Sequence, residues 1–520
     1  MVGGTTVHDR RWAILGVLVV SLLVVVLDNT ILNVALPTIE RTLRASQSQQ
    51  EWIIDSYTLV FAGLLFTWGV LGDRYGRKRM LQLGLALFGA GSVAAAFSSS
   101  PGMLVATRAL MGIGGAAVLP STLSVITNVF AAAERPRAIA IWAGFSGMAV
   151  AIGPITGGAL LEHFWWGSVF LVNVPVVVLG ITAIALIVPE SSNPRPQRLH
   201  VPGVVLSIAG LVSLVYGIIK GGQHGDWGSP PVLATLLGGI AVLAVFVATQ
   251  ARSDHPVLDV TLFRNPAFSA ASAAITLVFF ALFGATFYLT FYLQFIREYS
   301  PLSAGVRLLP VALALAFFAP RSARMVRRFG AKAVCTTGLL LVTAAFLCYQ
   351  LVGVGGSIWK LEALLFLQGM GMANVMAPAT ESIMSTLPRE RAGAGSAVNN
   401  TVRQVGGALG VAVLGSLLSS SYRAAVEPAL SPLPPGLRTT AGESIGATKA
   451  VAAQLGEQGR ALLDPAKDAF VHAMHVTSLG SALVAFVGAL VVLRWLPGRA
   501  APAGPAATAD RAAHEEVPTA

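Results

Sequence analysis

The sequence predicts an all-α polytopic membrane protein with fourteen transmembrane helices. Three observations support this fold class: the composition, the recurrence of long apolar segments, and the distribution of Lys and Arg. Of the 520 residues, 55% are hydrophobic and only 11% are charged, whereas soluble domains carry roughly 25% charged residues. Most of the chain therefore has no aqueous surface to present.

Apolar segments of about 20 residues recur along the chain, and each is long enough to cross a ~30 Å hydrocarbon core as a helix. We place the fourteen spans at residues 12–36, 52–71, 80–99, 102–122, 139–161, 167–188, 201–220, 231–250, 267–295, 301–320, 332–353, 358–386, 394–419 and 470–496. The first segment is too long for the core of a signal peptide and carries an Asp where cleavable signals have small residues. It is therefore predicted to be an uncleaved first helix.

The spans and the segments between them predict a 6 + 2 + 6 organisation. Residues 1–188 form an N-terminal six-helix bundle, residues 189–265 a linker with two extra helices, and residues 266–497 a C-terminal six-helix bundle. Within the last part, residues 420–469 are expected to be an extracytoplasmic loop with a surface helix or helical hairpin. The Ala/Pro-rich residues 498–520 are expected to be a disordered cytoplasmic tail.

Basic residues set the predicted orientation. The protein is predicted to lie in the plasma (inner) membrane. Clusters such as Arg74 to Arg79 and Arg321 to Lys332 fall in alternate loops, which places these loops and both termini on the cytoplasmic side. The net charge of +11 is thus a topology signal. Because the charges are dispersed over many loops, no nucleic-acid partner is expected.

Several function classes lack their sequence signals. There is no glycine-rich P-loop with its Lys and Ser/Thr, which argues against an ATP-driven pump. No nucleophile–base constellation is visible in the short loops, so an enzyme is not expected. The two cysteines, Cys335 and Cys348, lie about 20 Å apart along one predicted helix, which is beyond the reach of a disulfide. We expect neither a metal site nor a bound cofactor.

Three ionisable residues deep in predicted spans are the first functional candidates, since such groups are costly in hydrocarbon. Asp28 is in the middle of helix one, Asp55 about one turn inside the outer end of helix two, and Arg108 in the outer half of helix four. Arg108 stays charged and needs an anionic partner, for which Asp28 or a substrate group are candidates. A buried Asp–Arg pair is compatible with a structural role, and equally with a carboxylate that exchanges protons.

Helix five and a set of aromatic residues complete the candidates. The sequence "GPITGG" contains Gly153, Pro154, Gly157 and Gly158, which allow close helix approach and a bend, with ordinary packing as the alternative. Aromatic side chains that offer π faces to a cation are Trp52, Tyr57, Trp142, Phe145, Tyr288 and Tyr292. For each of these aromatic residues, a position at the membrane interface or facing lipid is an equally good interpretation.

Several motifs, taken in order, resemble the major facilitator superfamily. "GVLGDRYGRKRM" (69–80) is similar to its loop 2–3 signature, "RALMGIGGAA" (108–117) to its helix-four motif, and "GPITGG" (153–158) to its helix-five antiporter motif. "LDNTILNVALP" (27–37) and "NVP" (173–175) are similar to motifs of the fourteen-span drug:proton antiporter branch. Within it, the chain looks closest to bacterial exporters of quaternary ammonium and other lipophilic cations, which share an acidic residue at the place of Asp55.

The resemblance implies a function and roles for these residues. The function is multidrug efflux by a monomer that alternates access and exchanges small lipophilic, cationic substrates for protons, with the proton gradient in place of a cofactor. Asp28 is implied to be the coupling carboxylate, Asp55 a cation-attracting or second proton site, and Arg108 part of the proton relay. Gly69, Asp73 and Arg77 are implied to form a cytoplasmic gate. The helix-five motif is implied to enforce antiport rather than leak.

The chain also departs from the pattern of this branch. Helices ten and thirteen, "LLPVALALAFFAP" (308–320) and "SAVNNTVRQVGG" (396–407), carry no acidic residue, which favours monovalent or neutral substrates over dications. Two alternatives remain open. One is a lipid or lipid-precursor transporter on the same fold, with loop 420–469 guiding an amphiphile. The other is a non-transporting membrane sensor or scaffold, against which the mid-span Asp28 and Arg108 argue.

Overall fold

The computed structural model of this chain is helical almost throughout. It describes residues 10–131, 134–192, 200–224, 226–253, 256, 258–386 and 392–497. The predicted tail, residues 498–520, and residues 193–199 of the predicted linker lie outside these ranges.

The first part of the chain forms long helices joined by short turns. In order these are α1 (Arg11–Leu43), α2 (Gln47–Tyr75), α3 (Arg77–Ala96), α4 (Pro101–Val129), α5 (Arg135–His163), α6 (Ser168–Leu171) and α7 (Asn173–Ile187). A capping box begins α2, because the Ser46 side chain accepts from the Gln49 backbone N–H while the Gln49 side chain accepts from that of Ser46. The break between α6 and α7 precedes Pro175, whose nitrogen cannot donate a helical hydrogen bond.

The remaining helices follow the same plan. They are α8 (Val201–His224), α9 (Pro230–Arg252), α10 (Pro266–Phe291), α11 (Pro301–Arg307), α12 (Leu309–Phe329), α13 (Ala331–Cys348), α14 (Ile358–Ser385), α15 (Ala392–Leu430), α16 (Pro435–Ala441), α17 (Ile445–Gln454) and α18 (Leu463–Trp495). The predicted tenth span is split into α11 and α12 next to Pro310, for the same reason as the sixth.

The all-helical class is confirmed, with twelve helical segments of the described chain long and apolar enough to cross a membrane. The predicted fifth and twelfth spans correspond to α5 and α14, which are 29 and 28 residues long but are not among the twelve. The count of fourteen spans therefore stays a prediction.

Helices extend beyond the predicted spans. The thirteenth predicted span ends at residue 419, but α15 continues to Leu430, and α18 begins at Leu463 rather than at 470. The predicted spans counted apolar residues, whereas helical hydrogen bonding continues into polar sequence wherever side chains pack. The connection between α15 and α18 is correspondingly shorter than 420–469, and it contains α16 and α17.

Helices α1 to α7, here called the first half, pack mainly on one another, and so do α10 to α18, the second half. Helices α8 and α9 lie between the two halves in the sequence and pack against each other. Helix α8 also contacts α2 and α15, one helix from each half. We call the end where α1 ends and α2 begins the loop end, and the opposite end the terminal end.

The segment with α16 and α17 joins both halves at the loop end. The Ser444 hydroxyl caps α17 by accepting from the Ala447 N–H, and it donates to the Glu40 carboxylate of α1. On the other side, Lys449 of α17 and Lys467 of α18 both donate to Glu298 Oε1 at 3.0 Å. The hydrogen bonds from Lys467 and Lys449 lower the pKa of Glu298 below its ordinary value. This segment of the second half therefore binds the first half through the Glu40 carboxylate and the rest of its own half through Glu298.

Candidate functional site

Asp28 and Arg108 form a buried ion pair, in which Arg108 Nη1 donates to Asp28 Oδ2. The two side chains are 1% and 0% exposed. The second carboxylate oxygen, Asp28 Oδ1, accepts a 3.0 Å hydrogen bond from Asn173 Nδ2. Each oxygen of this mid-helix carboxylate thus has a donor, which is how a protein keeps a charge in a dry interior.

The fold of α2 against α4 positions the guanidinium. Arg108 Nε donates to the Ile53 carbonyl at 3.2 Å, and its Cζ lies 4.3 Å from the centroid of the Tyr57 ring. Such an arrangement adds a cation–π attraction. Gly112, one turn further along α4, permits this approach, because a Cβ there would lie 2.7 Å from the Tyr57 carbonyl oxygen. Gly112 of the helix-four motif thus serves the position of its arginine.

Asn173 is a site residue that the sequence did not single out, although it lies in the "NVP" motif. It is 2% exposed at the first residue of α7, and its Nδ2 also lies 3.3 Å from Ser92 Oγ. The signal was available: an amide side chain within an apolar segment, two residues before a helix-breaking Pro. Its hydrogen bond orients Asp28 Oδ1 toward α7.

The network keeps unused hydrogen-bonding capacity. Within the described residues, Arg108 Nη2 and the Tyr57 hydroxyl have no hydrogen-bond partner. Protonation of Asp28 would remove the negative charge that Arg108 faces, and the guanidinium would then be a buried cation without an anion. The arrangement can therefore convert a proton on Asp28 into a change of contacts among α1, α2, α4 and α7.

Asp55 does not join this network. Ile53 and Tyr57 face Arg108, and Asp55, two residues from each, lies on the opposite side of α2. Its side chain is fully buried, and neither of its carboxylate oxygens has a hydrogen-bond partner in the described part of the chain. Asp28 and Asp55 therefore belong to two different places in the structure.

The predicted aromatic residues are also dispersed. Tyr57 lies on Arg108, Trp52 contacts the Tyr216 ring of α8, and Trp142 Nε1 donates to Thr122 Oγ1. Phe145 is 38% exposed. Tyr288 and Tyr292 are buried in the second half, where their hydroxyls bond to Ser478 Oγ and the Gly353 carbonyl. Of the six, the structure brings only Tyr57 to the ionised pair.

The predicted gate residues lie together at the terminal end of the first half. Arg77 Nε and Nη2 donate to Asp73 Oδ1 at 3.0 and 2.8 Å, and Nη1 lies 3.4 Å from the Ser124 carbonyl. Between α2 and α3, Gly76 has a φ of +108°, a conformation that L side chains rarely adopt. Gly69 faces Pro120 of α4, since a Cβ there would lie 3.8 Å from its Cβ.

The helix-five motif lies between the two halves. Cβ atoms at Gly153 and Gly157 would meet Thr30 and Ile31 of α1, at 1.8 and 3.0 Å. On the other side, a Cβ at Gly158 would lie 2.4 Å from Leu302 Cα of α11, and a Cβ at Gly305 of α11 would lie 2.2 Å from the Pro154 carbonyl oxygen. The small residues of α5 therefore allow the halves to touch near the loop end.

We predict that Gly158→Leu opens this contact. The side chain has no room against the α11 backbone, and overpacking of this kind costs about 1–3 kcal/mol, a roughly 5- to 150-fold shift between two states. Spin labels on Arg44→Cys and Gly355→Cys, in a background with Cys335→Ala and Cys348→Ala, report the distance across the loop end. The distance should lengthen in Gly158→Leu.

The matched control is Gly238→Leu on α9, where no atom lies within 4 Å of the added Cβ. An unchanged label distance in Gly158→Leu, at equal yield, would mean that the α5–α11 contact does not hold the halves together.

Comparisons with known proteins agree with this arrangement. The family model of the Major Facilitator Superfamily matches residues 18–411. The chain is 38% identical to the methyl viologen resistance protein SmvA of Salmonella typhimurium, over 91% of this chain and 96% of that protein. It is 37% identical to the multidrug efflux pump LfrA of Mycolicibacterium smegmatis, over 94% and 97%. A tetracenomycin C resistance and export protein of Streptomyces glaucescens is 32% identical, over 94% and 92%.

Among solved structures, the chain is similar to a bacterial homologue of the human lysosomal transporter Spinster in its inward-facing and unoccupied conformation. The TM-score is 0.67 at 18% identity, with 96% of this chain and 100% of that chain covered. At this identity the likeness concerns the fold alone. Because the family model spans most of the chain and relatives above 30% identity cover nearly all of it, the chain belongs to the major facilitator superfamily of integral membrane transporters, as its motifs predicted.

Proposed function

We propose that this protein exports drugs, exchanging protons for lipophilic and mainly cationic compounds by alternating access. The observation that carries the proposal is the buried Asp28 with its two donors, Arg108 and Asn173. A proton on Asp28 cancels the charge that holds the guanidinium, so proton binding and helix packing are linked. The names of the relatives, which include multidrug efflux and drug resistance, support export of drugs.

The proposal includes a 6 + 2 + 6 arrangement of fourteen spans with both termini in the cytoplasm. The lengths of α5 and α14 and the packing of α8 with α9 support it. With this orientation the loop end faces outward, and the gate residues Asp73 and Arg77 face the cytoplasm. The close contacts between the halves lie toward the loop end, for example Gln294 Nε2 donating to the Val34 carbonyl at 2.8 Å. The structure would then represent an inward-facing state.

The substrate class follows from charge and from the relatives. Asp55 has no cation partner among the described residues, so in its ionised form it would attract a lipophilic cation. The relatives are named for compounds as different as methyl viologen and tetracenomycin C, which supports a broad substrate range. Lipid transport, the alternative on the same fold, would use the same alternating halves for an amphiphile.

Proton coupling can be tested with purified protein in vesicles. An acidic lumen, on the side corresponding to the cell exterior, should drive accumulation of a fluorescent lipophilic cation, and a protonophore should abolish it. Equal accumulation with and without the protonophore would contradict proton exchange. Uptake of labelled lipid but not of dyes would favour the lipid transporter, and no substrate-dependent proton flux with either would favour a sensor.

A further inference from the structure

A second acidic residue lies one turn before Asp55 on α2. Glu51 and Asp55 are four residues apart, so their side chains share one face of the helix. They are 1% and 0% exposed, respectively. The sequence "EWIID" contains both acids, but Glu51 directly precedes the predicted span, a position where an acidic side chain is expected to be exposed to solvent.

Neither carboxyl group has a basic partner in the described part of the chain. Glu51 Oε2 and both Asp55 oxygens lack hydrogen-bond partners there. The charged residues on the helices packed against α2 include Arg108 and Asp28, which pair with each other, and Glu40, which accepts from Ser444. Lys220 of α8 has a partner, and Arg403 of α15 stacks on the Phe279 ring. The basic residues Arg77, Lys78 and Arg79 of α3 lie at the opposite, terminal end of α2. A carboxylate buried without a counter-ion is too costly to persist, so a proton or a cation must neutralise it.

The two carboxyl groups lie where the halves of the molecule meet. A Cβ on Gly415 of α15 would lie 2.6 Å from Glu51 Oε1, so the carboxyl group rests against the second half. Two turns further along α2, Leu59 packs with Ala408 and Ala412 of α15. Asp55 lies between these levels on the same face. The glycine and alanines of α15 let it approach the acids without offering them a donor.

We propose that Glu51 is a proton-binding residue of the loop-end closure, and that Glu51 and Asp55 must both be neutralised before α2 and α15 can close. When the loop end opens, water reaches the two carboxyl groups and they ionise. When it closes, each carboxylate takes up one proton from the medium on that side, and the new O–H bond is carried into the interface. The inference rests on the proposed alternating access. Because these protons bind and leave on the same side of the membrane, they make closure of the loop end depend on pH and add none to the protons that are exchanged.

The label pair at Arg44→Cys and Gly355→Cys tests this in lipid nanodiscs. In the otherwise wild-type protein the distance across the loop end should shorten as the pH falls from mildly alkaline to mildly acidic. Glu51→Gln should remove at least about half of this pH-dependent change, since one of two titrating groups is lost. Glu51→Gln with Asp55→Asn should keep the loop end closed at every pH. The amides are similar in size to the acids they replace, so closure needs no proton.

The matched control is Glu381→Gln, an exposed carboxylate of α14 near the terminal end, which should leave the response unchanged. A full pH response in Glu51→Gln, or a loop end that stays open in the double variant, would overturn the inference. Vesicle transport separates this from the proposed function. Proton-driven accumulation by wild type together with an unaltered Glu51→Gln response contradicts only the role of Glu51. Absence of proton-driven accumulation by wild type together with a reduced pH response in Glu51→Gln contradicts only the proposed proton exchange.

Discussion

Asp28→Asn is expected to abolish proton-driven accumulation of substrate by this transporter. The amide has the shape of the carboxyl group and still offers Arg108 an oxygen, but it cannot take up a proton at physiological pH. Groups that transfer a proton typically contribute 10²- to 10⁴-fold to a rate, so at least a roughly 100-fold loss of gradient-driven uptake is expected. The measurement is the initial rate of uptake into vesicles under an imposed pH gradient.

A second assay shows whether Asp28 couples transport to protons or binds the substrate. Counterflow exchanges labelled for unlabelled substrate without net proton movement, so a variant that has lost only coupling should retain it. Asp226→Asn, an exposed aspartate in the turn between α8 and α9, is the matched control and should behave as wild type. Accumulation by Asp28→Asn at the wild-type level would remove Asp28 from the coupling mechanism.

Arg108→Ala is expected to destabilise the protein and to abolish transport together. The substitution leaves the Asp28 carboxylate and the Ile53 carbonyl buried without their cationic donor, and breaking a buried pair in this way costs about 3–5 kcal/mol. Lys should not rescue it, because an ammonium cannot stack on Tyr57 while it reaches both oxygens. The loss of stability is measured as the fall in unfolding temperature in detergent, with the folded fraction monitored by size-exclusion chromatography.

The combination Asp28→Asn with Arg108→Gln separates stability from function. With no uncompensated charge left, the double variant should unfold at a higher temperature than Arg108→Ala while still failing to accumulate substrate. Arg252→Ala, on the exposed end of α9, controls for loss of a surface arginine. If Arg108→Ala unfolds at the wild-type temperature, the pair does not stabilise the fold.

Much of the fold could be predicted from local sequence. Apolar segments locate the helices, since a helix is the form in which a single segment satisfies its own backbone in hydrocarbon. The ends of α15 and α18 could not be predicted this way, because they lie in polar sequence that is helical through packing with α16 and α17. The breaks beside Pro175 and Pro310 were signalled by the prolines but were hidden within continuous apolar runs.

The candidate site was predictable in part. The scarcity of charge in hydrocarbon marked Asp28 and Arg108, and the need of an arginine for an anion suggested that they pair, which the structure shows. Asn173, the second donor to Asp28, was overlooked because an amide carries no charge. The aromatic residues were chosen by type, and type does not say which side chains converge, so Tyr288 and Tyr292 lie among partners of their own half.

The sequence by itself determined which residues are costly to bury, because hydrocarbon excludes charge wherever the segment lies. Only the tertiary structure decided what each of these residues faces, because that depends on the rotation of each helix about its axis and on where glycines let helices approach. On α2, Tyr57 and the Ile53 carbonyl turn toward Arg108, while Glu51 turns toward Gly415 of the other half and Asp55 shares its helix face. One helix thereby serves a paired carboxylate on one side and carries two unpaired ones on the other.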